Sequence, residues 1–76
     1  MNTEHLVEMA NQIGAFFDSQ GTHEEAVDGI ASHLRRSWEP RMLRAIGAHV
    51  EAGGAGLAAS AAEAVRRLMA TTSPAA

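Results

Sequence analysis

The chain has 76 residues, enough for one small domain with a modest core. It contains no cysteine, which excludes disulfides, thiolate metal sites and iron–sulfur ligation by this chain. No apolar run approaches the roughly 18–20 residues that span a bilayer, and the N-terminus lacks a signal-peptide layout, so we expect a soluble, cytoplasmic protein.

The net charge of −3 is unevenly distributed along the sequence. Residues 1–34 carry six acidic residues and neither Lys nor Arg, whereas residues 35–76 carry six arginines and three acids, a balance of +3. The chain has no lysine. The planar guanidinium of arginine pairs bidentately with carboxylate or phosphate, so the use of arginine alone as the basic residue favours an interaction surface. The alternative is a compositional bias of the sequence toward Arg and Ala.

The first helix is predicted over residues 3–19, with Asn2 or Thr3 as its cap. Its apolar residues recur at steps of three and four, which predicts one buried face. That face comprises Leu6, Met9, Ala10, Ile13, Phe16 and Phe17. Gly21 ends the segment, because glycine is the usual residue after a helix C-terminus.

The second and third helices are predicted over residues 23–38 and 40–52. Thr22 and Glu25 have the spacing of a capping box, and Pro40 suits the first position of a new helix. The inward residues are predicted to be Ala26, Val27, Ile30, Ala31 and Leu34 in one helix and Met42, Leu43, Ile46 and Val50 in the other. The run Gly53–Gly56 then breaks the chain.

Residues 58–70 predict a weaker C-terminal helix, and residues 71–76 a flexible tail. Ser60 and Glu63 have capping-box spacing, and the inward residues Ala64, Val65, Leu68 and Met69 form a thin face, so we expect this helix to pack loosely or on something outside the chain. No segment alternates as a strand does. The prediction is therefore all-α, a small bundle of three main helices in residues 1–57 plus the weaker fourth.

Glycines at positions 14, 29 and 47 lie in the middle of predicted helices. Glycine costs about 1 kcal/mol there relative to alanine. We therefore predict that another backbone or a large side chain approaches closely at these positions, with tolerated drift as the alternative.

Catalytic and metal chemistry find little support in the sequence. The four histidines, His5, His23, His33 and His49, show no pairing at helical ligand spacing. No serine stands in a strand–turn–helix setting, and Glu24 with Glu25 behind a cap is typical of helix-dipole partners. The Gly53–Gly56 run lacks the strand and spacing of a phosphate loop. We expect no catalytic, cofactor-binding or metal-binding residue in this chain.

The corner between the second and third helices holds the only tryptophan and four of the six arginines. Trp and Arg often dominate interface energy, so a partner interface is predicted at Arg35, Arg36, Trp38, Arg41 and Arg44. Two alternatives stay open: Trp38 fills the domain's own core, and the arginines form a solvated face paired with local acids. A nucleic-acid-binding helix is less favoured, because six acids precede it and would repel phosphates.

Several segments in order resemble the delta subunit of NAD-dependent formate dehydrogenase over roughly residues 4–57. They are Leu6–Phe17, Glu25–Val27, Ile30–Ala31, His33–Arg36, Trp38–Met42 and Ala52–Gly54. The stretch from Trp38 to Met42 is the most specific of them.

The resemblance implies a small non-catalytic subunit of a cytoplasmic, molybdenum-containing formate dehydrogenase complex. Its partner would be the large catalytic subunit, whose assembly or stability it would support. The complex would carry a molybdenum–pterin, iron–sulfur clusters, FMN and NAD, none of them bound by this chain. The alternative is a transient assembly chaperone for the cofactor-free catalytic subunit. The prediction includes neither a nucleic-acid nor a membrane partner.

Overall fold

The structure, a computed structural model, describes residues 2–72 as four α-helices with no strand among them. These are α1 (Thr3–Asp18), α2 (His23–Ser37), α3 (Pro40–Glu51) and α4 (Ala59–Thr72). The predicted all-α class is confirmed. The tail predicted at residues 71–76 begins inside α4, and its last four residues lie outside the described part of the chain.

Local side-chain chemistry sets the starts of the first two helices. Asn2 Oδ1 accepts the N–H of Glu4 at 2.9 Å, which caps α1. At the start of α2 the Glu25 N–H donates to Thr22 Oγ1 at 3.1 Å, and the Thr22 N–H donates to Glu25 Oε1 at 2.9 Å. The predicted capping box is therefore confirmed.

The end of α3 is a glycine cap. Gly54 N–H donates to the carbonyl of His49 at 2.9 Å, and Gly53 N–H donates to that of Val50 at 3.0 Å, the two bonds of a Schellman motif. Gly53 has a φ of 122°, where a side chain would be strained. The predicted chain break at this glycine run is confirmed.

The segment between α3 and α4 is fastened to α1 by one side chain. Asn11 Nδ2 donates to the carbonyl of Gly56 at 2.8 Å, and Asn11 Oδ1 accepts the N–H of Ala58 at 2.9 Å. His49 Nε2 lies 2.7 Å from the carbonyl oxygen of Ala55. The loop is therefore held at a fixed place over α1, and the start of α4 is fixed with it.

The core lies where α2 meets α1 and α4. The five inward residues predicted for α2 are all buried. They pack with Trp38, which follows α2, and with side chains from the other helices: Leu6, Ala10, Ile46, Val50, Ala61, Ala64, Val65 and Leu68. The most extensive helix–helix contact is between α2 and α4, and we call it the α2–α4 seam.

The seam corrects the expectation that α4 packs loosely. Ala61, Ala64, Val65 and Leu68 have no exposed surface, so α4 is as deeply seated as α2. Small alanine side chains allow two helix backbones to approach closely. The buried contact area then comes mainly from backbone atoms and methyl groups rather than from large side chains.

The start of α4 also differs from the prediction. Ser60 lies inside α4 rather than capping it, is 3% exposed, and donates from Oγ to Asp18 Oδ2 at 2.8 Å. Glu63 bonds to side chains instead of to a cap. The Ser60–Glu63 capping box is therefore wrong, because the serine hydroxyl joins α4 to the end of α1.

The neighbouring phenylalanines of α1 separate. Phe17 is half-buried, whereas Phe16 is 59% exposed and meets Phe17 edge to face, with ring centroids 5.2 Å apart. Including Phe16 in the buried face was wrong. Adjacent residues on a helix point in directions about 100° apart, so both rings cannot face the same core.

Two of the three mid-helix glycines have the predicted close neighbour. A Cβ at Gly29 would lie 2.5 Å from the Phe17 ring, and one at Gly47 would lie 2.6 Å from Met69 Sδ. A Cβ at Gly14 would meet its neighbours at an ordinary 3.6 Å. Close approach therefore explains Gly29 and Gly47 but does not explain Gly14.

Within residues 2–72, none of the helices combines the length and the apolar character that crossing a bilayer requires.

Candidate partner interface

Trp38 lies at the C-terminal end of α2 and points into the core. The backbone N–H of Trp38 donates to the carbonyl of Leu34 at 2.9 Å, and the residue is only 7% exposed. The backbone is extended at Trp38 and Glu39 before Pro40 opens α3, so the indole covers the end of the bundle at the bend. Of the two roles that the sequence left open, the structure shows the core role, and the indole is not at the surface.

The four arginines around this bend are exposed, and we call Arg35, Arg36, Arg41 and Arg44 the arginine corner. The first two occupy the last turn of α2, where cations interact favourably with the helix dipole. The other two belong to the first half of α3. The bend therefore brings both pairs toward one end of the molecule.

The arginine corner makes few bonds of its own. Arg36 Nε donates to the carbonyl of Ser32 at 3.3 Å, and Arg41 Nε donates to Glu39 Oε1 at 3.4 Å. Among the described residues, neither Arg35 nor Arg44 forms an ion pair. The acids of residues 1–34 do not neutralise this corner.

Two of those acids, Glu24 and Asp28, are paired by an arginine that the interface prediction left out. Arg67 of α4 bonds to Glu24 at 2.8 Å, Asp28 at 2.9 Å and Glu63 at 3.2 Å. Its hydrogen bond to Glu24, with further attraction from Glu24 and Asp28, raises the pKa of Arg67 against the opposing effect of burial. This surface cluster bridges the two helices of the α2–α4 seam.

His23 and Glu63 extend the same cluster, with Nε2 and Oε1 3.1 Å apart. The hydrogen bond to His23, with the positive charges of His23, Arg67 and Arg66, lowers the pKa of Glu63, against a smaller opposing effect of burial. Glu24 and Asp28 are thus paired within the chain. In the arginine corner, by contrast, Arg41 alone forms an ion pair among the described residues.

A groove opens between α3 and α4 next to the arginine corner, and we call it the α3–α4 groove. Its main hollow measures about 680 Å³ and is lined by Arg44, Gly47, Ala48, Val50, Glu51, Arg66, Met69 and Ala70. A smaller hollow of about 360 Å³ is lined by Pro40, Leu43, Arg44 and Met69. Sequence reasoning missed Arg66 and Met69 as surface-site residues. The signal was Gly47, whose missing side chain makes room for Met69.

The arginine corner and the α3–α4 groove have side chains suited to binding another molecule. In the described part of the chain, no three His, Asp or Glu side chains converge in a way that could hold a metal ion. The exposed guanidiniums can bind carboxylates through paired N–H donors, and the groove offers apolar surface beside them. That combination is typical of a surface that contacts a protein.

Comparison with protein families gives a match over most of the chain. The family described as the NADH-dependent formate dehydrogenase delta subunit, FdsD, matches residues 5–65. Neither a curated protein nor a solved structure matches the chain. The match covers α1, α2, α3 and the first half of α4, and so includes the arginine corner.

Proposed function

The chain belongs to the NADH-dependent formate dehydrogenase delta subunit family, and on that premise we propose that it is a non-catalytic accessory subunit of a cytoplasmic formate dehydrogenase complex. It docks on the large catalytic subunit and supports the assembly or the stability of the complex. The observation that carries this proposal is the arginine corner, four exposed guanidiniums at one end of a folded helical domain.

The corner supports docking because, among the described residues, only one of its four arginines forms an ion pair, Arg41 with Glu39. Arg67 binds three carboxylates of its own chain, whereas Arg35 and Arg44 bind none among the described residues. Acidic side chains or backbone carbonyls on the large subunit would complete the hydrogen bonds of Arg35, Arg36, Arg41 and Arg44. Trp38 contributes indirectly, by holding the bend from which these arginines project.

The redox groups of the complex, a molybdenum–pterin, iron–sulfur clusters, FMN and NAD, belong in this proposal to the other subunits. The chain has no cysteine to ligate a cluster. Its role is then to stabilise a partner that does the chemistry.

The test is purification of the tagged chain from cells that make the complex, followed by size exclusion with formate-dependent NAD reduction assayed in each fraction. Large subunit and activity that co-elute with the chain in a fixed ratio would support a structural subunit. Elution with inactive, cofactor-free large subunit alone would identify a transient assembly chaperone. Elution with neither would refute both roles.

A single substitution tests the residue assignment. Replacing Arg41 by Gln should weaken binding of the large subunit about tenfold, since a desolvated interfacial arginine contributes on that scale. Gln12→Glu is the matched control, because it changes the net charge by the same amount on the exposed side of α1. Equal recovery of the large subunit by Arg41→Gln and wild type would remove Arg41 from the interface.

A further inference from the structure

The two hollows between α3 and α4 form one groove, because Arg44 and Met69 line both. Its lining runs from Pro40 to Glu51, the full length of α3. A helix of 12 residues is about 18 Å long, so the groove matches roughly three turns of a second helix laid along it.

The floor of this groove is apolar and adaptable. Met69 lies over Gly47, and Leu43 and Val50 add aliphatic surface. Because the methionine side chain is unbranched and flexible, it can adjust its shape to an inserted side chain. Ala48 is exposed and small, which leaves the middle of the groove open.

The rim of the groove has a defined charge pattern. Arg44 and Arg66 are exposed and form no ion pair among the described residues, and the same holds for Glu51. Arg44 and Glu51 are seven positions apart on α3, which corresponds to about 10 Å along the helix axis. An occupant that matches this rim has acids opposite the arginines and a basic residue opposite the glutamate.

We propose that the α3–α4 groove binds an amphipathic acidic helix of the large catalytic subunit, its apolar residues on Met69 and Val50 and its carboxylates on Arg44 and Arg66. This inference rests on the proposed function and gives it a specific site and partner chemistry. Helix-in-groove recognition uses apolar anchors at steps of three and four residues, which a groove three turns long accommodates.

The charge pattern disfavours a second copy of this chain as the occupant. In a two-fold symmetric pair Arg44 of one copy can face Glu51 of the other, but the two rims together bring four arginines against two glutamates, so two arginines remain without an acid. Like charges at an interface without water are unfavourable. The acidic helix removes that repulsion.

The first test fills the groove. Ala48→Trp places a large side chain over the floor, and Ala15→Trp is its control, an exposed alanine of α1 that does not line the groove. Each tagged variant is purified from cells that make the complex. Ala48→Trp should lower the ratio of large subunit to tagged chain at least about tenfold, and Ala15→Trp should leave it unchanged.

The second test removes charge. Arg66→Gln should reduce recovery of the large subunit, and the reduction should be smaller at high salt, whereas Gln12→Glu should have no effect. A photo-crosslinking residue in place of Ala48 should then capture a large-subunit peptide with apolar residues at helical spacing and flanking Asp or Glu. Helix content and melting temperature, measured for every variant, establish that each is folded.

The outcomes separate the two proposals. If the wild-type chain recovers the large subunit and folded Ala48→Trp does so equally well, the groove inference is wrong and the proposed function stands. A crosslinked peptide without acidic residues, or a dimer of this chain that Ala48→Trp abolishes, also overturns it. If wild type recovers no large subunit, the proposed function fails and the groove assignment falls with it.

Discussion

The α2–α4 seam and the α3–α4 groove share one helix but differ in almost every physical respect. In the seam, α4 buries Ala61, Ala64, Val65 and Leu68 completely, and Arg67 satisfies three carboxylates across the surface. Along the groove, the neighbouring Arg66 has no such partner and Met69 is only half-buried. One face of α4 therefore stabilises the domain, and the adjoining face carries an unpaired guanidinium and partly exposed apolar surface.

The largest effect is expected when one leucine of the α2–α4 seam and one beside the α3–α4 groove are each replaced by alanine. Leu68→Ala in the seam should cost about 2–5 kcal/mol of unfolding free energy, because a fully buried leucine leaves a cavity. Leu43→Ala, at a half-buried position beside the groove, should cost clearly less. Urea unfolding followed by circular dichroism measures both. Equal losses would mean that the two sides do not differ in packing.

A smaller effect is expected from two glycines with rigid and flexible neighbours. Gly29→Ala should destabilise the domain by about 1–3 kcal/mol, because the new methyl group would overlap the Phe17 ring. Gly47→Ala should change the free energy of unfolding by less than about 1 kcal/mol, since Met69 can move aside and alanine favours a helix. Thermal unfolding of both variants measures the two changes in stability. A larger loss of stability for Gly47→Ala than for Gly29→Ala would show that Met69 does not move aside.

The adjacent arginines of α4 offer a more delicate comparison. Arg67→Gln removes the guanidinium shared by Glu24, Asp28 and Glu63, so the melting temperature should fall, by less at high salt. Arg66→Gln should lower the melting temperature much less, because the exposed Arg66 forms no ion pair in the described structure and adds only a minor attraction to Glu63. Identical shifts for the two variants would show that the carboxylate cluster adds no stability.

The smallest expected effect concerns acid pH. Because the pKa of Glu63 is lower in the folded chain than its ordinary 4.5, the unfolded chain binds more protons near that pH. The contribution of Glu63 is therefore complete above pH 4.5 and is lost as the pH falls through the lowered folded value. The stability difference between wild type and Glu63→Gln should shrink over this acid range in melting experiments. A constant difference would mean that the carboxylate is not stabilised by His23.

Sequence reasoning predicted the parts of the fold that depend on local chemistry. Thr22 caps α2, Pro40 opens α3 and Gly53 closes it, and of the two candidate caps for α1 Asn2 is the one used, since each acts through its own backbone neighbours. The inward face of α2 was also predicted in full, because every Ala, Val, Ile and Leu of this helix lies at the spacing of one helical face.

The tertiary arrangement could not be predicted in the same way. Ser60 resembles a cap in sequence, but it bonds to Asp18, a partner 42 positions away. Trp38 was predicted at the interface with a core role as the alternative, and its burial in the folded chain, at 7% exposure, shows the core role. The interface assignment of the four exposed arginines remains a prediction. Arg66 could not be added to them from the sequence, because its place beside α3 depends on how α3 and α4 pack.

The alanines of the seam have a further consequence for how the domain holds its shape. An alanine side chain has no rotamers to lose on folding, so Ala61, Ala62 and Ala64 become buried without a side-chain entropy cost. A leucine or methionine seam of equal area would give up part of its gain to that ordering. The composition that made α4 look weak in the sequence therefore allows a short helix to be held firmly. Backbone amides of α4 in the seam should accordingly exchange hydrogen slowly.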